Sequence, residues 1–483
     1  MASGNSIQSA MAHFQAGRFA EAEEVCRRLL DEQPRHLDAL QLLSVLAAQG
    51  NRLDVAIELI STAVRINPNS ADYHSNLGEL QRRTGRLDQA MTSANRALSL
   101  QPNHAAAHYN LGLILTDRER FADAIESHQR AFDINSALIP ALISLANASV
   151  RVRLFDRALA AYAQAIQLMP DLAEAHWNYS LLLLRLGDYE RGWNEYEWRK
   201  KVRGDFAPPQ NFSQPLWDGT DLHGKTILIH AEQAFGDTFQ FARYIPMVAQ
   251  RGGRAVLQVP PELIRVLKSL QGVQVIVAAD KPPPEFDVHC PLMSLPRLFA
   301  TRTNSIPSDT PYLYPEPELV EQWARRIEPF HGRLKVGLVW AGRQVHMNDG
   351  NRSVQLAQLA PLCRAPCLFF SLQKGSPAAE AAPAGMNLID WTSDLHDFAD
   401  TAAFIANLDL IITVDTAVAH LAGALGKPVW VLLMFVPDWR WMMDRDDSPW
   451  YPTMHLFRQP DAGDWAGAID ELANALKAKA EST

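Results

Sequence analysis

Asp415 and Thr416 follow a short apolar run and precede a stretch of small residues, in the segment LDLIITVDTAVAHLAGALGKPVWVL from Leu408 to Leu432. The run reads as a buried strand and TAVAHLAGALG as a helix. A helix starting at such a turn directs free amides and the positive end of its dipole outward, so the amides of Thr416, Ala417 and Val418 suit a phosphate. With Asp415 and Thr416 at the N-cap, the competing reading is a capped helix without a ligand. Lys374, in SLQKG at the end of another apolar run, brings a cation that can neutralise charge on a departing phosphate, with Gln373 beside it. Its bland alternative is a solvated loop lysine. The polar loop GRQVHMNDGNRS carries Arg343, Asn348, Asp349 and Arg352, of which Arg352 and Asn348 are the better candidates to close over a bound donor. Asp400 and Thr401 read as an ordinary N-cap, and His420 as a satisfied core histidine.

These groups need rigid strand ends to hold them. TILIHA, RAVLQV, VQVIVA and FDVHC are short apolar, β-branched runs from Lys225 onward, separated by helical stretches such as FGDTFQFARYIPMVAQRG. The alternation resumes with LKVGLVWA, CLFFSLQ, NLI, LDLIITV and PVWVLLM, then ends in the helix DWAGAIDELANALKAKA. This is the pattern of βα units with parallel sheets, over 222–315 and again over 316–483. Two doubly wound units in tandem leave a cleft between the carboxyl ends of their sheets, where open α/β sheets bind ligands. Between the last strand and the last helix, FVPDWRWMMDRDDSPWYPTM is rich in Trp and Arg. It is expected either to stack on a sugar or close as a lid, with arginine pairing a phosphate, or to be an apolar plug.

The first two hundred residues have another rule. Pro34, Pro68, Pro102 and Pro170 keep a 34-residue spacing, with Ser136 in the vacant register, and Ala22, Ala56, Ala90, Ala124 and Ala158 keep the same period. Gly192 holds that position in a sixth unit. Small residues let two antiparallel helices cross closely, and proline ends the second helix. The pattern resembles the tetratricopeptide repeat, which implies an all-α solenoid over 1–201 with a groove for an extended polypeptide. In the last unit Trp193, Tyr196 and Trp198 are placed either to dock the solenoid or to cap it. Residues 202–221, with Pro208, Pro209, Pro215 and Gly219, read as a linker packed by Trp217.

The segment VDTAVAHLAGALGKPV is similar to the Asp-Thr-x-x-x-His motif of the bacterial lipopolysaccharide heptosyltransferases, and Ala234–Asp237 resembles that family's Gly-Asp motif. A repeat solenoid ahead of a two-Rossmann unit resembles O-linked N-acetylglucosamine transferase and the bacterial flagellin glycosyltransferases. The resemblance implies a GT-B fold and a sugar transferred from a nucleotide-sugar co-substrate. It also implies that Asp237 is the general base on the acceptor hydroxyl. A carboxylate at a strand–helix junction suits that role if burial raises its pKa, whereas the plain alternative is a helix cap. Glu232 and His230 are the spare bases. The loop Gly342–Arg352 and the aromatic segment depart from the heptosyltransferase pattern, so the donor's identity does not carry over.

Composition narrows the rest. The 483 residues carry a formal charge of −9, which makes nucleic acid an improbable main partner. Four cysteines cannot be a disulfide framework and lack the second close pair of a zinc site. No apolar leader is present, and the longest wholly apolar run, VWVLLMFV, is too short to cross a bilayer, so a cytoplasmic location without a membrane span is expected. The phosphate-loop, dinucleotide, serine-hydrolase and zinc-protease signatures are absent, which disfavours a kinase, dehydrogenase or hydrolase. Asp444-Arg445-Asp446 matches a metal-binding triplet of another transferase fold; in a two-domain fold, helix amides and side chains are expected to do that work without metal or cofactor. The expectation is a glycosyltransferase acting on a Ser or Thr hydroxyl of a polypeptide held in the repeat groove, flagellin being one acceptor. A scaffold with an inactive transferase-like half, and a lipopolysaccharide-type sugar transferase, are the alternatives.

Overall fold

The computed structural model describes residues 6–202, 212–343 and 349–482. It divides into two compact units, Met1–Asn178 and Tyr179–Thr483.

The first unit is helical. Its hairpins are Ile7–Gln15 with Phe19–Glu32, Leu37–Gln49 with Leu53–Ile66, Ala71–Arg83 with Leu87–Leu100, Ala105–Asp117 with Phe121–Ile134, and Ile139–Arg151 with Phe155–Leu168. The periodic alanines are the reason these pairs close: Ala22, Ala56, Ala90, Ala124 and Ala158 are all fully buried. At Gly78 an added Cβ would stand 3.2 Å from the Ala90 carbonyl oxygen, so the helix Ala71–Arg83 rests on its partner's backbone there. The turn prolines have a second use that the spacing does not announce. The Nε2–H groups of His74, His108 and His176 donate to the carbonyls of Pro68, Pro102 and Pro170, six residues back in each case, at 2.8–2.9 Å.

The second unit contains two parallel sheets. The first holds β1 (Thr226–His230), β2 (Arg254–Val259), β3 (Val273–Ala278) and β4 (Val288–Pro291) in the order β3-β2-β1-β4. The second holds β5 (Leu334–Val339), β6 (Cys367–Ser371), β7 (Leu388–Asp390), β8 (Leu410–Val414), β9 (Val429–Leu433) and β10 (Met454–Arg458) in the order β10-β9-β8-β5-β6-β7. Strand order reverses between β1 and β4 in one sheet and between β5 and β8 in the other, and such switch points open a crevice at the strands' carboxyl ends. The strands β5 and β8 are buried on both faces, and the C-terminal helix Trp465–Glu481 covers the second sheet with Ile469, Leu472 and Leu476.

Two features differ from the sequence reading. The edge strand β10 has no counterpart there, because His455 and Arg458 interrupt its apolar run; pairing with β9 supplies what the local pattern lacks. The compact units also divide at Asn178/Tyr179 rather than at residue 201, because the helix Tyr189–Tyr196 packs its aromatic face within the α/β unit. Part of the expected linker, including Pro208 and Pro209, lies outside the described residues.

Candidate functional site

The chain leaves β1 through Ala231 to Ala234 and enters the helix Phe235–Ala242, with Asp237 in its first turn. There the Asp237 carboxylate accepts the Ala234 amide at 2.8 Å, as an acidic residue at that helix position commonly does. Its other oxygen is ion-paired with Nη2 of Arg440. Burial pushes the Asp237 carboxyl above the ordinary aspartate value, against the pull of Arg440 and the Ala234 amide.

One residue earlier, Gly236 lets a second junction come close. An added Cβ would lie 2.8 Å from Cδ2 of His420 and 3.6 Å from the Ala417 Cα. The Gly-Asp turn after β1 and the Asp-Thr turn after β8 therefore touch. His420 is held by the Tyr451 hydroxyl at 3.1 Å and stacks on Trp441, and burial pushes its imidazole down to about 3, so it is neutral.

On the β8 side, Thr416 is the N-cap of the helix Ala417–Ala424 and Asp415 stands one residue outside it. Thr416 spends its hydroxyl on Thr413 at 3.0 Å rather than on the helix. Thr416, Ala417 and Val418 are part-exposed. The Asp415 carbonyl accepts Nη1 of Arg352 at 3.2 Å. Burial, reinforced by the neighbouring Asp438, pushes the Asp415 carboxyl up to about 6, against Arg352 and Arg440. Arg352 is fixed in turn by Asp349 at 3.3 Å, and its guanidinium lies against Gly342, where a Cβ would collide with it. Arg343 is exposed, and Asn348 lies outside the described residues.

Gln373 is buried and supports the neighbouring loop. Its carbonyl accepts the amides of Trp340 and Ala341 at 3.0 and 2.9 Å, and its NH2 donates to the carbonyls of Ala341 and Lys374 at 3.1 and 2.9 Å. Its amide thus sets the backbone just after β5, at the switch point. Lys374 is exposed and donates to the Thr392 carbonyl. Asp400 and Thr401 bond at their own helix start, with Asp400 accepting the His396 amide at 2.9 Å, and Asp400 is also paired with Arg265 at 3.4 Å. Of the spare bases, Glu232 is paired with buried Arg199 at 2.8 Å, and burial pushes His230 down to about 3.

The chain resembles known proteins in both of its parts. Residues 13–80, and residues 75–137 with 143–193, match models of the tetratricopeptide repeat. Residues 393–433 match the model of glycosyltransferase family 9, the heptosyltransferases, and that stretch holds Asp415, Thr416 and His420. The chain is a fusion of repeats that match the tetratricopeptide-repeat models with an α/β unit that matches the glycosyltransferase family 9 model over residues 393–433. The fusion is 26% identical over 342 residues to protein FlbA of Caulobacter vibrioides, covering 64% of this chain and 55% of that one. It is 34% identical over 70 residues to a UDP-N-acetylglucosamine–peptide N-acetylglucosaminyltransferase of Caenorhabditis elegans, covering 14% of this chain and 6% of that one. The fusion thus spans about half the length of the first relative and a small part of the second. Among solved structures, a thermophilic tetratricopeptide-repeat protein of Thermus thermophilus is 23% identical, covers 37% of this chain and 97% of its own, and has a TM-score of 0.34.

In the fusion, the aromatic segment is a plug. Trp439, Trp441, Trp450 and Tyr451 are at most 1% exposed, so none of them offers a face to a sugar. Its arginines are also taken: Arg440 by Asp237 and Asp438, and Arg445 by Asp447. Trp193 stands edge-on to Trp439 at 5.3 Å and donates from Nε1 to the Thr301 carbonyl at 3.1 Å, while the Trp450 indole donates to Tyr189 at 3.2 Å. The last repeat helix therefore docks on the α/β elements, and Nζ of Lys201 lies over the Trp198 ring, 3.9 Å from its centre. Asp438 is a site residue that the sequence reading misses. Its only signal there is its place between a strand end and an arginine-bearing turn.

Proposed function

We propose that the fusion transfers a sugar from a nucleotide-sugar donor to a Ser or Thr hydroxyl of a polypeptide recruited by the repeats. The reading is carried by one observation: Gly236 meets His420 and Ala417, so the Asp237 turn and the Asp415–Thr416 turn adjoin. In this scheme Asp237 takes the acceptor proton as the oxygen attacks the anomeric carbon, and the bond from that carbon to the donor phosphate breaks with its electron pair leaving on the phosphate. The amides of Thr416, Ala417 and Val418, with Lys374, receive the departing charge without a metal ion. Arg352 and Asn348 belong to the donor side, and Gln373 supports that side by holding Trp340 and Ala341. A relative with a peptide acceptor supports a polypeptide, and flagellin is the first acceptor to try. The family 9 match favours the lipopolysaccharide-type acceptor as the second reading.

Calorimetric titration with UDP, GDP, ADP, CMP and dTDP, repeated with Asp415→Ala and Lys374→Ala, tests the donor side. Saturable binding of one nucleotide is the expected result, weakened in Lys374→Ala and, below about pH 6 where the Asp415 carboxyl is protonated and can donate to a phosphate oxygen, in Asp415→Ala. A folded chain that binds none of them would favour the scaffold instead. Transfer from UDP-N-acetylglucosamine to a Ser-containing flagellin peptide, rather than to a lipid-linked saccharide, separates the two acceptors.

A further inference from the structure

Arg440 is held between two carboxylates that come from different parts of the α/β unit. Asp237 opens the helix after β1, and Asp438 precedes the short turn Trp439–Trp441 after β9. Asp438 accepts both Nη1 of Arg440 at 2.7 Å and the Arg440 amide at 3.0 Å, so it anchors the residue at two points. The guanidinium also lies over the Trp439 ring, 4.3 Å from its centre, and its Nε–H is buried with no partner among the described residues. The charge of Arg440 is therefore answered by Asp237 and Asp438. A base that gains a proton loses its negative charge, and an arginine left here with no other carboxylate would be a buried, uncompensated cation, which is strongly unfavourable.

We propose that Asp438 is a positioning residue that retains Arg440 as a shared counter-ion, so that Asp237 can take up a proton without stranding a buried cation. The triad then carries one net negative charge before proton transfer and none after it. The other groups facing Asp237 do not replace Asp438. Glu232 is committed to Arg199, Tyr196 is kept un-ionised by burial, and His420, beside Gly236, is neutral. Asp415, the further carboxyl that feels Arg440, is shared with Arg352 and pushed toward its protonated form by burial. Asp438 also adds its own negative charge near Asp237, which favours the protonated form. This inference rests on the reading of Asp237 as the base.

The test follows Asp237 itself. The full chain is labelled with carboxyl-13C aspartate, and its infrared spectrum is titrated with pH; the spectrum of Asp237→Asn is subtracted to isolate the Asp237 band. In Asp438→Asn the protonation midpoint of Asp237 is expected to fall by about one pH unit, a roughly tenfold change in proton affinity. Asp438→Glu is expected to stay near the parent. Should Asp438→Asn not fold, Asp438→Ser removes the charge while leaving an oxygen for the Arg440 amide. A midpoint that stays put or rises in the charge-removing variant overturns the inference. Failure of the base reading looks different: Asp237→Asn would then still transfer sugar from UDP-N-acetylglucosamine, whatever the infrared titration shows.

Discussion

Asp237 and Arg440, 203 positions apart, form a buried ion pair that ties the first helix of one sheet to the segment leaving β9 of the other. Their side chains are only 11% and 10% exposed, so the pair is little screened by solvent. Removing one partner of a buried pair typically costs about 3–5 kcal/mol, because the other charge is left uncompensated. Arg440→Met is expected to lose about that much in urea denaturation. Combining it with Asp237→Asn is expected to recover part of the loss, and an additive double variant would contradict the coupling.

Gly236→Ala puts a methyl 2.8 Å from the His420 ring, beside the backbone of Ala417. The neighbouring stack of His420 on Trp441 leaves little room to yield. A destabilisation of about 1–3 kcal/mol is expected, together with weaker nucleotide binding as the two turns separate. Gly350→Ala, which has no atom within 4 Å of its new Cβ, is the control and should stay within about 0.5 kcal/mol of the parent.

His128 is buried between Gly112 and Tyr109 in the repeat unit, with both ring nitrogens unpartnered among the described residues, and burial pushes its pKa down to about 4. A histidine lowered on folding contributes stability above its unfolded pKa near 6.5 and loses it as pH falls toward about 4. His128→Leu should therefore be less sensitive to acid. Chemical denaturation at pH 7 and pH 5 should show the parent losing about 2 kcal/mol more than the variant. Equal losses would sink the assignment.

Asp415 has the opposite sign. Its carboxyl is raised to about 6, so the protonated form predominates below that value. An anionic phosphate at the amides of Thr416–Val418 is repelled once Asp415 ionises. Nucleotide affinity is expected to weaken several-fold as pH rises through about 6 and to be flatter in Asp415→Asn. Calorimetry at pH 5, 6 and 7 reads this directly.

The aromatic box around Trp193 sets where the α/β unit can be cut. A fragment beginning at Tyr179 retains Tyr189, Trp193 and Tyr196 against Trp439 and Trp450, and is expected to melt cooperatively. A fragment beginning at residue 202 exposes Trp439 and Trp450 and is expected to aggregate or melt without a transition. In the intact chain, Trp193→Ala should cost about 3–5 kcal/mol. A well-folded shorter fragment would show that the helix is dispensable.

Much of this protein follows from local chemistry. The 34-residue spacing of proline and alanine specifies the hairpins, because the periodic position must be small wherever two helices cross. Apolar runs of strand length, each ended by a polar turn, specify the parallel units and place Asp237 and Asp415–Thr416 at strand–helix junctions. Gly236 is visible as part of a motif, but its reason, the His420 ring, lies beside another sheet. The rest depends on partners distant in the chain. Arg440 reads as a free cation in an aromatic stretch until Asp237 is brought to it, and the same burial turns the tryptophans from ligand platforms into a plug. Gln373 looks like a ligand group until the backbone after β5 consumes its amide. Residue type and spacing determine which elements form and which groups stand at their ends. Tertiary structure decides which of those groups are already paired, because desolvation and counter-ions come from chain segments that no local pattern can pair in advance.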